Sequence, residues 1–101
     1  MAYSHLHTTL TKGNLWLYVL AELSAGECTP AELRARVGAK YGFAPAAITF
    51  YTVIYRLRRE GLVRRSSDRF RSAYSVTAAG RAELSKAVEY LAEVRAKLGA
   101  T

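Results

Sequence analysis

Arginine is concentrated in one short part of this 101-residue chain. Seven of the eleven arginines lie between Arg56 and Arg71, where the acidic residues are Glu60 and Asp68. Seven positive and two negative charges give a net +5 there, out of a formal +7 for the whole chain. A guanidinium presents a fork of N–H donors that matches phosphate and the acceptor edge of guanine, so the cluster predicts a polyanionic partner. A solvated basic face on an ordinary small domain would carry the same charge. The secondary-structure elements around the cluster must therefore distinguish the two interpretations.

The first of these elements is a helix predicted from Pro45 to Glu60. Proline is well placed in a first helical turn, and Gly61 follows the helix where a left-handed C-terminal cap is expected. An apolar stripe forms one face of the helix through Phe50, Ile54 and Leu57. At about 100° per residue, the opposite face is polar and consists of Thr52, Tyr55, Arg56 and Arg59, with Thr49 at its edge.

The second element is a hairpin with an arginine-rich tip. Leu62 to Arg65 are predicted to form one strand, and the turn Ser66-Ser67-Asp68-Arg69 joins it to a second. Side chains on one face of the second strand are Phe70, Ser72, Tyr74 and Val76. A helix with a polar outer face followed by a basic hairpin is the arrangement that a winged helix-turn-helix presents to duplex DNA.

The elements before this stretch complete a helix-turn-helix pattern. A first helix is predicted from Asn14 to Ser24, and its apolar residues cover more than one face, which indicates burial nearly all round. Trp16 has the shape to stack on an aromatic ligand, but packing in a core or interface is the preferred interpretation. Residues 29–32, Thr-Pro-Ala-Glu, form a capping box that opens a second helix ending near Lys40 to Gly42. Residues 1–13 show no helix-capping residue and no hydrophobic period, and they are predicted to be an exposed or partner-contacting arm. His5 and His7 of this arm lack the further ligands that a metal site needs.

A long last helix is predicted from Ala78 to Leu98, with Thr77 as its cap. A helix of about 20 residues is about 30 Å long, which is more than the domain can cover. Pairing with a second copy is therefore preferred over folding back within one chain. The predicted dimer residues are Leu15, Trp16 and Val19 of the first helix and Leu84, Val88, Leu91, Val94 and Leu98 of the last.

The length and composition of the chain exclude several other classes of protein. A chain of this length predicts one domain, divided into an arm (1–13), a winged helix-turn-helix (14–77) and a dimerisation helix (78–101). No apolar run approaches the roughly 20 residues that cross a bilayer, no secretory signal opens the chain, and Cys28 is the single cysteine. Phosphate loops, paired catalytic carboxylates and catalytic triads are missing from the sequence. We therefore expect a cytoplasmic protein that is not an enzyme and needs no cofactor or metal.

Two segments are similar to the PadR-like transcriptional regulators. One comprises Thr49-Phe50-Tyr51 and the run Ile54-Tyr55-Arg56-Leu57-Arg58-Arg59-Glu60-Gly61-Leu62-Val63. The other, Tyr74-Ser75-Val76-Thr77-Ala78-Ala79-Gly80-Arg81, resembles the junction between the last strand and the last helix in that family. Thr52 after Tyr51 and Cys28-Thr29-Pro30 at the second helix depart from the family pattern. The resemblance implies a mainly α fold with a small β-hairpin, a homodimer and repression at a pseudo-palindromic DNA site.

These observations predict a sequence-specific DNA-binding regulator. The predicted DNA contacts are Lys40, Thr49, Tyr51, Thr52, Tyr55, Arg56, Arg59, Arg64, Arg65, Arg69 and Arg71, among which Tyr51 is chosen from the resemblance. A winged helix used for protein assembly, or one that stacks single-stranded nucleic acid on its tyrosines, is the alternative. A small-molecule effector is possible for such a regulator, although no residue pattern supports one.

Overall fold

The computed structural model describes residues 1–66 and 72–99. A short 3-10 helix, Lys12–Asn14, joins the first two helices. The other elements, in chain order, are α1 (Ala2–Leu10), α2 (Leu15–Ala25), α3 (Pro30–Tyr41), α4 (Ala47–Arg59), β1 (Val63–Arg65), β2 (Tyr74–Val76) and α5 (Ala78–Lys97).

The arm expected at residues 1–13 contains a helix that the sequence analysis did not predict. All of α1 up to Thr8 is exposed, in agreement with the expectation of an exposed arm. Later residues hold its C-terminal end: Tyr18 donates its hydroxyl hydrogen to the carbonyl of Leu10, and the side-chain amide Nδ2 of Asn14 donates to the carbonyl of Thr9. Because these donors belong to later residues, the local pattern of residues 1–13 does not reveal them.

Helix α2 lies at the centre of the core. Leu15, Val19, Leu20 and Leu23 are between 0% and 2% exposed, and each buried aliphatic side chain contributes about 2 kcal/mol through the hydrophobic effect. The prediction that Leu15 and Val19 contact a second chain is therefore wrong, because both are already buried inside their own chain. Trp16 is half-buried against the same core and donates its indole N–H to Asn14 at 3.3 Å.

Helices α3 and α4 form the predicted helix-turn-helix. The capping box is present: the Thr29 amide donates to Glu32 Oε1 at 2.9 Å, and the Glu32 amide donates to Thr29 Oγ1 at 3.2 Å. Gly42 ends α3 with φ of 74°, a left-handed conformation that favours glycine. Helix α4 starts at Ala47 with Ala46 as its N-cap, so Pro45 lies just before the helix and not in its first turn.

The hairpin begins directly beside the end of α4. Gly61, with φ of 77°, reverses the chain, and the Leu62 amide then donates to the carbonyl of Leu57 at 2.9 Å. Strands β1 and β2 are antiparallel, with Val63 opposite Val76 and Arg65 opposite Tyr74. Tyr74 also exchanges two backbone hydrogen bonds with the buried Cys28, which confirms the prediction that Cys28 is an apolar filler beside a strand.

The junction between β2 and α5 is closed by Thr77 and Gly80. Thr77 Oγ1 accepts from the Gly80 amide at 3.0 Å, which confirms the predicted cap, and donates to the Gly61 carbonyl at 2.7 Å. A Cβ atom on Gly80 would stand 2.2 Å from the carbonyl oxygen of Leu62, so only glycine fits there. Gly80 is also the buried residue of α5, and Leu84, one turn later, is half-buried against the core.

Candidate nucleic-acid interface

Helix α4 has one buried face and one exposed face. Phe50, Ile54 and Leu57 are at most 3% exposed and pack in the core, as the sequence predicts. The opposite side is exposed and carries Thr49, Tyr51, Thr52, Tyr55, Arg56 and Arg59. The burial of the apolar stripe therefore fixes which side chains α4 presents to solvent.

The exposed side chains of α4 meet at its C-terminal half. Thr52, Tyr55, Arg56, Arg59 and Glu60 line one shallow depression on the surface. Two guanidinium groups, a phenol, a hydroxyl and one carboxylate thus lie together. Such a surface offers donors for phosphate and for the base edges of a groove.

Strand β1 extends this basic surface. Val63 is 2% exposed, whereas Arg64 and Arg65 are exposed. Adjacent residues of a strand point to opposite faces, so these two arginines project to different sides of the hairpin. Arg65 donates to Ser72 Oγ across the hairpin at 2.7 Å, which holds one of the two guanidinium groups. The predicted contacts Arg69 and Arg71 lie outside the described residues.

Lys40 has an internal partner. Its Nζ lies 3.0 Å from Oε2 of Glu22, whose side chain is 8% exposed, and Tyr41 donates its hydroxyl hydrogen to the same oxygen at 3.3 Å. The hydrogen bond to Glu22 raises the pKa of Lys40 above its ordinary value. The positive charge predicted to contact DNA at Lys40 therefore already has a carboxylate partner within the domain.

Two residues near the start of α4 were missed by the sequence analysis. Ile48 is 83% exposed. It lies four residues before Thr52 and seven before Tyr55, so the helical period places it on the polar face and could have identified it as a candidate contact. Arg34 of α3 donates its Nε–H to the carbonyl of Pro45 at 3.0 Å and so holds the loop that enters α4. No sequence pattern indicates this contact, because it joins separate elements.

Tyr51 lies to one side of the exposed face of α4. It is 45% exposed and stands edge-on to Phe50, with 5.9 Å between the ring centroids. It also lines a groove against α3 with Arg34, Ala35 and Phe43. This position agrees with the helical phase, which puts Tyr51 at the flank.

The outer part of α5 leaves several apolar side chains exposed. Val88, Leu91 and Leu98 are 55%, 39% and 80% exposed, while Leu84 and Val94 are half-buried. At the other end of the chain, Tyr3 and Leu6 of α1 are 75% and 52% exposed. Apolar area of this kind is typical of a surface that meets another protein chain.

Neither a metal site nor a membrane span is found in the described part of the chain. Within residues 1–66 and 72–99, no three His, Cys, Asp or Glu side chains are grouped to hold a metal ion. In the same ranges, no helix has the combination of length and apolar content that a bilayer crossing requires.

The elements and the exposed basic helix define the class of fold: a winged helix-turn-helix, in which α3 and α4 are the helix pair and β1 and β2 the wing. No family model and no curated protein matches the chain. In its fold, it is similar to PadR-like transcriptional regulators among the solved structures.

Three solved structures illustrate the likeness. A transcriptional regulator from Clostridium thermocellum has a TM-score of 0.79 at 17% identity, covering 90% of this chain and 92% of the other. A PadR-like transcription factor from Bacteroides fragilis has a TM-score of 0.76 at 15% identity, covering 93% and 95%. Bacillus subtilis PadR in complex with operator DNA has a TM-score of 0.64 at 20% identity, covering 74% of this chain and 46% of that protein. At these identities the comparisons establish the fold.

Proposed function

We propose that this chain is a sequence-specific double-stranded DNA-binding transcriptional regulator that acts as a homodimer on a pseudo-palindromic site. One observation carries the proposal: the exposed face of α4 holds Thr52, Tyr55, Arg56 and Arg59 together, and the exposed arginines of β1 follow directly. A helix fits the major groove of duplex DNA, and a basic hairpin beside it fits the backbone or the minor groove.

The proposed contacts divide by chemistry. Thr49, Thr52, Tyr55 and Arg56 supply donors and acceptors to base edges, and Tyr51 lies at their flank. Arg59 and Arg64 contact phosphate, with Arg65 on the other side of the wing. Phosphate contacts fix register and orientation, whereas base contacts determine sequence preference. We assign Arg69 and Arg71 to phosphate contacts from the sequence alone.

The homodimer is supported by the exposed apolar face of α5. Val88 and Leu91 are three residues apart, and Leu98 is seven residues beyond Leu91, so all three lie on one side of the helix. Two copies that pair through this face would remove that area from water, and Trp16 of α2 is a further proposed contact of the dimer. A twofold dimer presents two α4 helices, which matches the symmetry of a pseudo-palindromic site.

Repression is the proposed outcome of binding. The Bacillus subtilis relative is described on operator DNA. By analogy, we propose that this chain occupies an operator and blocks transcription. A reporter gene placed behind the preferred site should be expressed less when the chain is present, and equal or higher expression would contradict repression.

The proposal is tested by selecting bound sites from a pool of random duplexes and then titrating the chosen site at several salt concentrations. We expect a palindromic consensus. If about six phosphates are neutralised per dimer, the logarithm of the binding constant should fall against the logarithm of salt with a slope of about −5.

A competition experiment separates this function from the alternatives. Duplex DNA should compete for the chain more strongly than single-stranded DNA or RNA of equal length and charge. Stronger competition by single strands would indicate stacking on the tyrosines. Negligible affinity for all three nucleic acids would contradict the proposal and favour a protein partner.

A further inference from the structure

An exposed isoleucine occupies the first turn of the proposed recognition helix. Ile48 is 83% exposed, although the transfer of an isoleucine side chain out of water is favourable. Single apolar residues on a surface are ordinary and need no explanation. Ile48 differs because its helix face also carries Tyr55, which is 62% exposed, and Tyr51, at the flank of that face, is 45% exposed.

Helix geometry puts Ile48 on the central line of the exposed face. At about 100° per residue, Ile48, Thr52, Tyr55 and Arg59 lie within about 60° of one another, opposite the buried Phe50. Thr49, Arg56 and Tyr51 are farther round the helix. A groove that accepts Thr52 and Tyr55 therefore also meets Ile48.

The hydrogen bond between Thr52 and Ile48 strengthens this link. Thr52 Oγ1 donates to the carbonyl oxygen of Ile48 at 2.8 Å, which orients the hydroxyl along the line between the two residues. A rise of 1.5 Å per residue places Ile48 about 10 Å from Tyr55 along the helix, or about three base-pair steps of 3.4 Å. The helix thus spans a short row of bases with its aliphatic residue at the N-terminal end, where recognition helices contact base edges.

The major groove contains one apolar group, the 5-methyl of thymine. We propose that Ile48 contacts a thymine methyl in each half-site and so makes the chain prefer T over C at that position. This inference rests on the proposed function, because it requires α4 to enter the major groove of DNA. The arginines on the same helix favour DNA over an apolar protein partner at this face.

The test replaces single thymines by deoxyuridine, which removes the methyl group and keeps every base-pairing and groove hydrogen-bonding atom. The probe is the fluorescently labelled duplex of the selected site, titrated with the full chain at constant salt. We expect wild-type affinity to fall about fourfold for one methyl and about fifteenfold when both half-sites are changed, the loss expected for removing one buried carbon each. Deoxyuridine in the flanks should have no effect.

Variants of Ile48 assign the loss to this side chain. Ile48→Ala should bind the thymine and deoxyuridine duplexes equally, at the affinity of the wild type for deoxyuridine. Ile48→Val should retain most of the difference. Both variants should fold, because the position is exposed. Alanine also has a higher helix propensity than isoleucine.

The outcomes distinguish this inference from the function on which it depends. A preferred duplex with salt-dependent binding but no effect of deoxyuridine would overturn the role of Ile48 and leave the proposed function intact. The same follows if Ile48→Ala keeps the wild-type sensitivity, or if the selected half-site contains no thymine. Failure to select any preferred duplex would instead contradict the proposed function, and the inference with it.

Discussion

At the scale of the residue, Thr52 shows how an internal bond sets what a side chain offers outward. Its hydroxyl hydrogen is donated to the Ile48 carbonyl at 2.8 Å, so the oxygen faces solvent with its lone pairs. In the major groove, adenine N6 and cytosine N4 carry donors that such an oxygen can accept. Thr52 is therefore expected to favour adenine or cytosine at one base position.

Replacing Thr52 tests this expectation. Thr52→Val keeps the shape of the side chain and removes the acceptor, so it should lower the preference at one base position by about fivefold, the value of one hydrogen bond near 1 kcal/mol. The measurement is binding to four duplexes that differ only there. Thr52→Ser retains the hydroxyl and should keep the preference. An equal loss of affinity for all four duplexes would mean that Thr52 contacts the backbone.

Arg64 is expected to behave differently, because a phosphate contact does not depend on sequence. Arg64→Ala should weaken binding to all duplexes by the same factor and make the salt slope less steep by about 0.9 for each protomer. Lys97→Ala is a matched control: it removes one positive charge from an exposed side chain at the far end of α5. If both variants change the slope equally, the effect is one of total charge and Arg64 is not a specific contact.

At the scale of the element, local patterns predicted the parts that are stabilised locally. The capping box of α3, the apolar stripe of α4 and the Thr77 cap of α5 each involve residues close in sequence, and each is present. Helix α1 was missed because its end is held by Tyr18 and Asn14 from later elements. Leu15 and Val19 were misassigned because an apolar helix face does not reveal whether its own chain or a partner covers it.

The contact between the hairpin and α5 depends on Gly80. In Gly80→Ala, the new methyl would stand 2.2 Å from the Leu62 carbonyl, so the strand and helix must separate. We expect a loss of about 2–3 kcal/mol in the free energy of unfolding, measured by urea denaturation. Gly38→Ala is the control: its Cβ would meet the nearest atom at 3.6 Å in the middle of α3, and stability should be unchanged or higher. Equal stabilities for the two variants would refute the packing account.

The junction of α2 and α3 should be sensitive to alkaline pH. Burial raises the pKa of Tyr18 and of Tyr41, and the hydrogen bond to Glu22 raises that of Lys40. A group whose pKa is higher in the folded state stabilises the fold fully below its unfolded pKa. The contributions of these three groups are therefore present at neutral pH and lost as pH rises above about 10.

Lys40→Met tests this junction and the role of Lys40 together. The variant leaves the buried Glu22 carboxylate with Tyr41 but without its cation, so the urea midpoint at pH 7 should fall, and the decline of stability above pH 10 should be shallower. The salt slope of DNA binding should stay at the wild-type value. A reduced slope with unchanged stability would instead return Lys40 to the DNA interface.

At the scale of the whole molecule, the chain is elongated. Its extents are 50 × 27 × 21 Å, and α5, at 20 residues, is about 30 Å long. One end of α5 is locked to the wing by Thr77 and Gly80. In a dimer paired through the other end, α5 would therefore fix the separation and orientation of the two α4 helices.

Leu91→Asp tests the dimer because it places a charge in the middle of the proposed interface. Burying an unpaired carboxylate costs several kcal/mol, so the dissociation constant of the dimer should rise by about 1,000-fold or more. Sedimentation should show monomers, and binding to the palindromic site should fall to that of a single half-site. Ala82→Asp introduces the same carboxylate on the opposite, exposed side of α5 and should leave the dimer intact. A monomeric wild-type chain that still binds the palindromic site tightly would refute the dimer.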